Sequence, residues 1–330
     1  MTNSAADELT GPGAFDFRVL ASATRTDPSL LFSDRTLHGL ELEGTYLYGT
    51  FRDEAGTLYT PMRRIPLRAP GPPRKLAMHT SANGTLTFDR VSGTTAASES
   101  VQRHVDGEGY DSVLTLTASD GQPELTSVVS ATEGAWREHD LIDVSGTNAG
   151  PTLQWYLPDP DGGMYYCSQL YSVRGTIAGR SVTGFFGIDE MFQPAGIRTY
   201  VNDALTRHHV ARSWVTFGNW YADGTAEVGH AAVGRGSFRF GLRAGTDLHL
   251  LSTGDVTSDA TITLPASALP DFAIDIDGQR WNYTGDPKGL YADTINGPVV
   301  RGEGCLRRDG DTRELLAWFC ATELTIGDHR

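Results

Sequence analysis

The 330-residue chain has only three cysteines, Cys167, Cys305 and Cys320, too few and too far apart for a disulfide framework or a zinc knuckle. Lysine is nearly missing: Lys75 and Lys288 are the only two, so arginine carries the positive charge. Positive charge is itself scarce, with 27 Lys and Arg against 41 Asp and Glu and a formal net charge of -14. Such a surface repels phosphate backbones and anionic bilayers, so neither a nucleic-acid partner nor a membrane partner is expected. No stretch approaches the roughly 18 apolar residues of a membrane helix. The opening Met1 to Thr10 is polar and acidic, without the basic and apolar regions of a signal peptide, so a cytoplasmic location is expected.

Familiar catalytic motifs are missing too. There is no P-loop, no G-x-S-x-G and no H-E-x-x-H. Gly234-Arg-Gly236 opens a dinucleotide-like pattern, but Arg239 stands where its third glycine belongs. His208 and His209 are adjacent, so on a strand they point to opposite faces and cannot chelate one metal. The sequence therefore predicts no metal and no cofactor.

Sustained helical periodicity is absent; Leu264 to Leu269 reads at most as one turn before Pro270. Short β-prone runs meet at Asp-Gly dipeptides instead. Ser112–Ala118 turns at Asp120-Gly121 into Glu124–Ser130, and Trp214–Tyr221 turns at Asp223-Gly224 into Thr225–Val233. Phe272–Ile276 turns at Asp277-Gly278, and Arg301–Arg307 turns at Asp309-Gly310. Asp-Gly between alternating runs signals a hairpin whose two central residues take positive φ. The chain is read as all-β and antiparallel. At about 150 residues per barrel its length suggests two barrels, divided as 1–195 and 196–330. Arg68-Ala-Pro-Gly-Pro-Pro-Arg74 reads as a stiff connection.

Candidate chemistry gathers between residues 155 and 230. Asp189 and Glu190 follow the apolar run Gly184-Phe-Phe-Gly-Ile188. Apolar surroundings raise a carboxyl pKa and keep the group protonated near neutrality, as a general acid requires. Adjacent strand residues face opposite ways, so only one of the two can enter a cavity. Trp155, Tyr156, Tyr165, Tyr166 and Tyr171 make an aromatic hairpin suited to lining a pocket, with phenol hydroxyls able to orient a carbonyl. Phe186, Trp214 and Trp220 extend the apolar set, and His230 is a candidate base. Asp143, Asn148 and Gln154 are candidate hydrogen-bonding groups, and Cys167 reads as a buried small hydrophobe.

Tyr165 to Glu190 resembles the AttH-like and carotenoid 1,2-hydratase group, in which an aromatic strand leads into a G-x-x-V-x-G-x-x-x-x-D hairpin. Trp214-x-x-Phe217-x-x-x-Tyr221-x-Asp223-Gly224 resembles the opening hairpin of that group's second half. The superfamily is also similar to lipocalin-like Diels–Alderases. The resemblance implies two lipocalin-like antiparallel β-barrels side by side, with a ligand cavity at or near their interface. It implies a catalytic acid at Asp189 in a Y-x-D-like pattern; here Gly187 stands in place of the tyrosine. The preceding aromatic pair falls on Tyr165 and Tyr166. The expected function is a cofactor-independent cyclase, isomerase or hydro-lyase acting on an apolar polyene, terpenoid or polyketide-like substrate. Asp189, Glu190 and Tyr166 are its catalytic candidates. Trp155, Tyr165, Tyr171, Phe186, Trp214, Trp220 and His230 are its substrate-binding candidates. A non-catalytic carrier of a hydrophobic metabolite predicts carboxyls outside the cavity. An interaction protein predicts a flat apolar patch instead of a cavity. The expected partner is a small hydrophobic molecule, and the oligomeric state is open.

Overall fold

The computed structural model describes residues 19–65, 76–89, 101–118, 125–159, 162–197, 199, 202–205, 212–234, 238–246, 249–261, 268–292 and 299–325. The run 68–74, the turn at 120–121, the pair 208–209, residues 235–236 and most of 264–269 lie outside them.

Strands β1 (Leu20–Thr24), β2 (Glu41–Asp53), β3 (Leu58–Ile65), β4 (Ala77–Thr80), β5 (Thr87–Phe88), β6 (Val101–Asp106) and β7 (Val113–Ala118) open the chain. β8 (Leu125–Val129), β9 (Glu133–Glu138), β10 (Ile142–Asn148), β11 (Thr152–Leu157), β12 (Met164–Ile177) and β13 (Arg180–Gln193) complete the first sheet. Its order is β5-β4-β3-β2-β13-β12-β10-β9-β8-β7-β6, with β11 and β1 paired alongside β12. The second sheet holds β14 (Arg212–Tyr221), β15 (Ala226–Gly234), β16 (Arg239–Gly245), β17 (Leu251–Thr253) and β18 (Val256–Ser258). It continues with β19 (Phe272–Ile276), β20 (Gln279–Leu290), β21 (Val299–Arg308) and β22 (Leu315–Thr325), ordered β17-β16-β15-β14-β22-β21-β20-β19-β18. Every pairing between these strands is antiparallel, and the sheets curl into one half-barrel and one nearly closed barrel, as the all-β reading expects. Among the described residues no helix is long and apolar enough to cross a membrane.

The hairpins β7–β8, β14–β15, β19–β20 and β21–β22 all form. The turn chemistry is more varied than expected. Among the described Asp-Gly turns only Asp277-Gly278 has both central residues at positive φ, 52° and 73°. At Asp223-Gly224 and Asp309-Gly310 the glycine alone does so. Around Gly224 the bonds Gly224 N–H to Tyr221 O (3.0 Å) and Tyr221 N–H to Thr225 O (2.9 Å) close a longer loop. There the aspartate keeps an ordinary conformation and the glycine absorbs the reversal.

Apolar side chains form three main bodies. One fills the first sheet, around Phe51, Trp136, Tyr171 and Phe186. One fills the second, around Phe217, Ile274, Trp281 and Leu306. The third lies between the sheets, where Trp155, Tyr166 and Phe185 meet Val228, Phe240 and Phe319. β12 and β13 are therefore covered on both faces, so most of their residues are buried and polar/apolar alternation disappears. Specific bonds fasten the seam. Ser252 Oγ donates to Ala21 O at 2.5 Å, Arg52 donates to Trp318 O, and Leu86 bridges Tyr291 in parallel.

Candidate active site

A cavity of about 850 Å³ opens along this seam, within the roughly 300–1,000 Å³ of small-molecule sites. β2, β3, β4, β11, β12 and β13 form one wall, and β14, β21 and β22 face them. The cavity thus lies outside both apolar interiors.

The pleat decides which side chains reach it. On β12 and β13, residues directly opposite one another share a face: Tyr166 with Met191, and Ser168 with Asp189. These four residues lie on the seam side, and Tyr166, Asp189 and Met191 line the cavity. Tyr166 Oη donates to Asp189 Oδ2, while Asp189 Oδ1 is buried without a hydrogen-bond partner. Burial holds the Asp189 carboxyl up at about 7, against the opposing pull of the Tyr166, Ser168 and Tyr48 hydroxyls. Tyr48 Oη lies 3.2 Å from Ser168 Oγ. Its ring occupies the space that a side chain at position 187 would take. Gly187 therefore leaves room for the Tyr48 phenol, brought in from β2 beside Asp189.

Aromatic rings enclose this carboxyl. Trp155 stacks on Tyr166 at 5.5 Å between centroids, and Trp214 meets Trp155 edge-on at 5.5 Å. Trp155 Nε1–H is buried without a partner. Trp214 Nε1–H donates to Thr216 Oγ1 at 3.2 Å, which lies 2.9 Å from His230 Nδ1. His230 packs 5.6 Å from Tyr166 and from Trp214, with Nε2 unpartnered. Burial pushes its pKa down to about 3. At neutral pH it is a neutral ring with little affinity for a proton, which corrects the expectation of a near-neutral base.

Other candidates lie elsewhere. Glu190 faces away from the cavity, where its Oε1 accepts from Phe32 N–H at 2.5 Å and its Oε2 from Arg35 at 3.4 Å. Tyr165 turns the same way, donating to Gln154 Oε1 at 2.5 Å and packing on Phe192. Tyr171 and Phe186 stack together within the first sheet, and Tyr171 Oη donates to Ser130 O at 2.9 Å. Trp220 shares the seam face with Trp214 but packs under the Arg174 guanidinium, off the cavity lining. Asn148 is engaged with Gln169, and Asp143 with Arg137 at the surface. Cys167 is buried beside Glu190, and burial raises its thiol pKa well above the ordinary value.

Sequence reasoning found Trp214 on the facing wall but missed the carboxyl there. Glu303 of β21 is buried and lines the cavity. Its Oε1 accepts from Tyr291 Oη at 3.3 Å, and its Oε2 has no hydrogen-bond partner. Its only mark in the sequence is a charge between Gly302 and Gly304 in a strand. Tyr46, Tyr48 and Thr50, all on the lining, do carry a signal: an alternating polar row along β2. Among the described residues no cluster of three or more His, Cys, Asp or Glu is arranged to hold a metal.

No family model and no curated protein matches the chain. Solved structures do. An AttH protein from Nitrosomonas europaea is 15% identical, with 89% of this chain and 96% of that one covered and a TM-score of 0.47. Kievitone hydratase from Nectria haematococca is 11% identical, with 86% and 89% covered and a TM-score of 0.43. CghA is 9% identical, with 87% and 89% covered and a TM-score of 0.40.

Proposed function

We propose that the chain is an enzyme acting on an apolar polyene, terpenoid or polyketide-like substrate, which it encloses and activates with a proton or hydrogen bond from Asp189. One observation carries this reading: a carboxyl with a raised pKa lines an aromatic-walled cavity and leaves one oxygen unpartnered. A group poised near 7 both gives and regains a proton at neutral pH. The carrier alternative expects acidic groups outside the cavity, and the position of Asp189 favours chemistry over carriage.

Two redox-neutral reaction types suit this arrangement. In hydration, the π electrons of an alkene take the Asp189 proton and form a new C–H bond. The cation left on the neighbouring carbon lies against the faces of Trp155, Tyr166 or Trp214. Water adds its oxygen there, and the proton it sheds returns to the Asp189 carboxylate. In cyclisation or isomerisation, the Asp189 carboxyl or the Tyr166 phenol hydrogen-bonds a substrate carbonyl. The walls meanwhile pre-order the reacting carbons, and both effects lower the barrier.

The test is incubation with candidate polyenes, comparing wild type with Asp189→Asn and Tyr166→Phe by product analysis. Asp189→Asn is expected to lose turnover by about 100-fold or more, and Tyr166→Phe by less. Full turnover in both variants overturns the assignment.

A further inference from the structure

Asp189 hangs from the first sheet, and Glu303 meets the same cavity from the second. Glu303 is 2% exposed, with Oε2 buried and unpartnered. The cations beside it are engaged elsewhere: Arg301 pairs with Glu323 at 3.0 Å, and Arg52 with Asp286 at 3.3 Å. Among the described residues Glu303 has no ion pair of its own. A buried carboxyl left in this state loses hydrogen bonds that a ligand oxygen can restore. Asp189 sits opposite Tyr46 in the register of β2, whereas Thr50, four residues further along, lies beside Glu303. Positions 46 and 50 are separated by roughly 13 Å along a strand. At that separation the two carboxyls do not share a proton.

We propose that Glu303, oriented by Tyr291, forms a second subsite that receives a hydroxyl or carbonyl oxygen at the end of the substrate remote from Asp189. The substrate is then a chain molecule with an apolar body and an oxygenated end. This inference rests on the proposed function for the identity of the cavity as the substrate site, but its test needs no turnover.

Farnesol and the hydrocarbon farnesene serve as probes, sharing a carbon skeleton and differing in the oxygen. Binding is read by quenching of tryptophan fluorescence, since Trp155 and Trp214 line the cavity. Wild type is expected to prefer farnesol about tenfold, the worth of a hydrogen bond to a charged or buried polar group. Glu303→Leu is expected to abolish the preference while farnesene binding persists, which also reports that the variant is folded. Tyr291→Phe, the milder variant, is expected to reduce the preference several-fold, and Asp189→Asn to leave it intact. Equal binding of both probes by wild type, or an undiminished preference in either Glu303→Leu or Tyr291→Phe, overturns the subsite. Loss of turnover in Asp189→Asn bears on the proposed function alone.

Discussion

The two faces of β13 put neighbouring carboxylic acids to opposite uses. Glu190 is fully buried and Asp189 half-buried at the cavity wall, and desolvation raises the pKa of both. Glu190 is satisfied. It holds the N–H of Phe32, a residue at φ +54°, together with Arg35 and the Cys167 thiol. It fastens the 27–35 segment to the sheet at a point where the backbone is strained. Asp189 has Tyr166 as a partner, an idle oxygen, and a void in front of it. Burial alone therefore does not mark a catalyst; burial with an unmet bond beside empty space does.

The contrast is sharpest in stability. Glu190→Leu leaves the Phe32 N–H buried and unmet and is expected to cost about 3 kcal/mol in urea unfolding. Asp189→Asn is expected to do the reverse above neutrality. With the carboxyl raised from 3.8 to about 7, the folded chain holds more protons than the unfolded chain across that window. Wild-type stability therefore falls as pH rises from about 4 to 7, and asparagine removes that loss. The gain of Asp189→Asn over wild type should grow by roughly 2 kcal/mol between pH 5 and pH 8 in thermal melts. A gain that is the same at both pH values would show that Asp189 does not titrate abnormally.

The smallest expected effect concerns Tyr166. If Asp189 acts as an acid, turnover holds at low pH and falls as pH rises through about 7. Tyr166→Phe deletes a hydroxyl that pulls the Asp189 pKa down, so the descending limb should move to higher pH by about one unit. A limb that stays in place would separate the tyrosine from the acid.

Much of this was legible in the sequence. Asp-Gly corners between alternating runs announce the hairpins, and the apolar run before Asp189 announces its burial. Parity within a strand then sorts the candidates. Tyr165 and Tyr171 differ from Tyr166 by odd numbers of residues, as Phe186 and Glu190 do from Asp189, and all four turn away from the cavity. Trp220 shares parity with Trp214 but lies about 20 Å further along its strand. Glu303 was not legible, because its role depends on which wall faces β13, and no local pattern encodes how two sheets dock. Tyr48 shows in the alternating row of β2, but its partner does not: only the register of β2 against Gly187 brings its ring to Asp189.

A chamber made at a junction takes its dimensions from the lean of its walls. Phe185 against Phe319, 5.2 Å between ring centres, acts as a spacer in that junction and is absent from the lining. Trimming or enlarging either ring would resize the chamber from a distance, altering which molecules fit while every reactive group keeps its chemical identity.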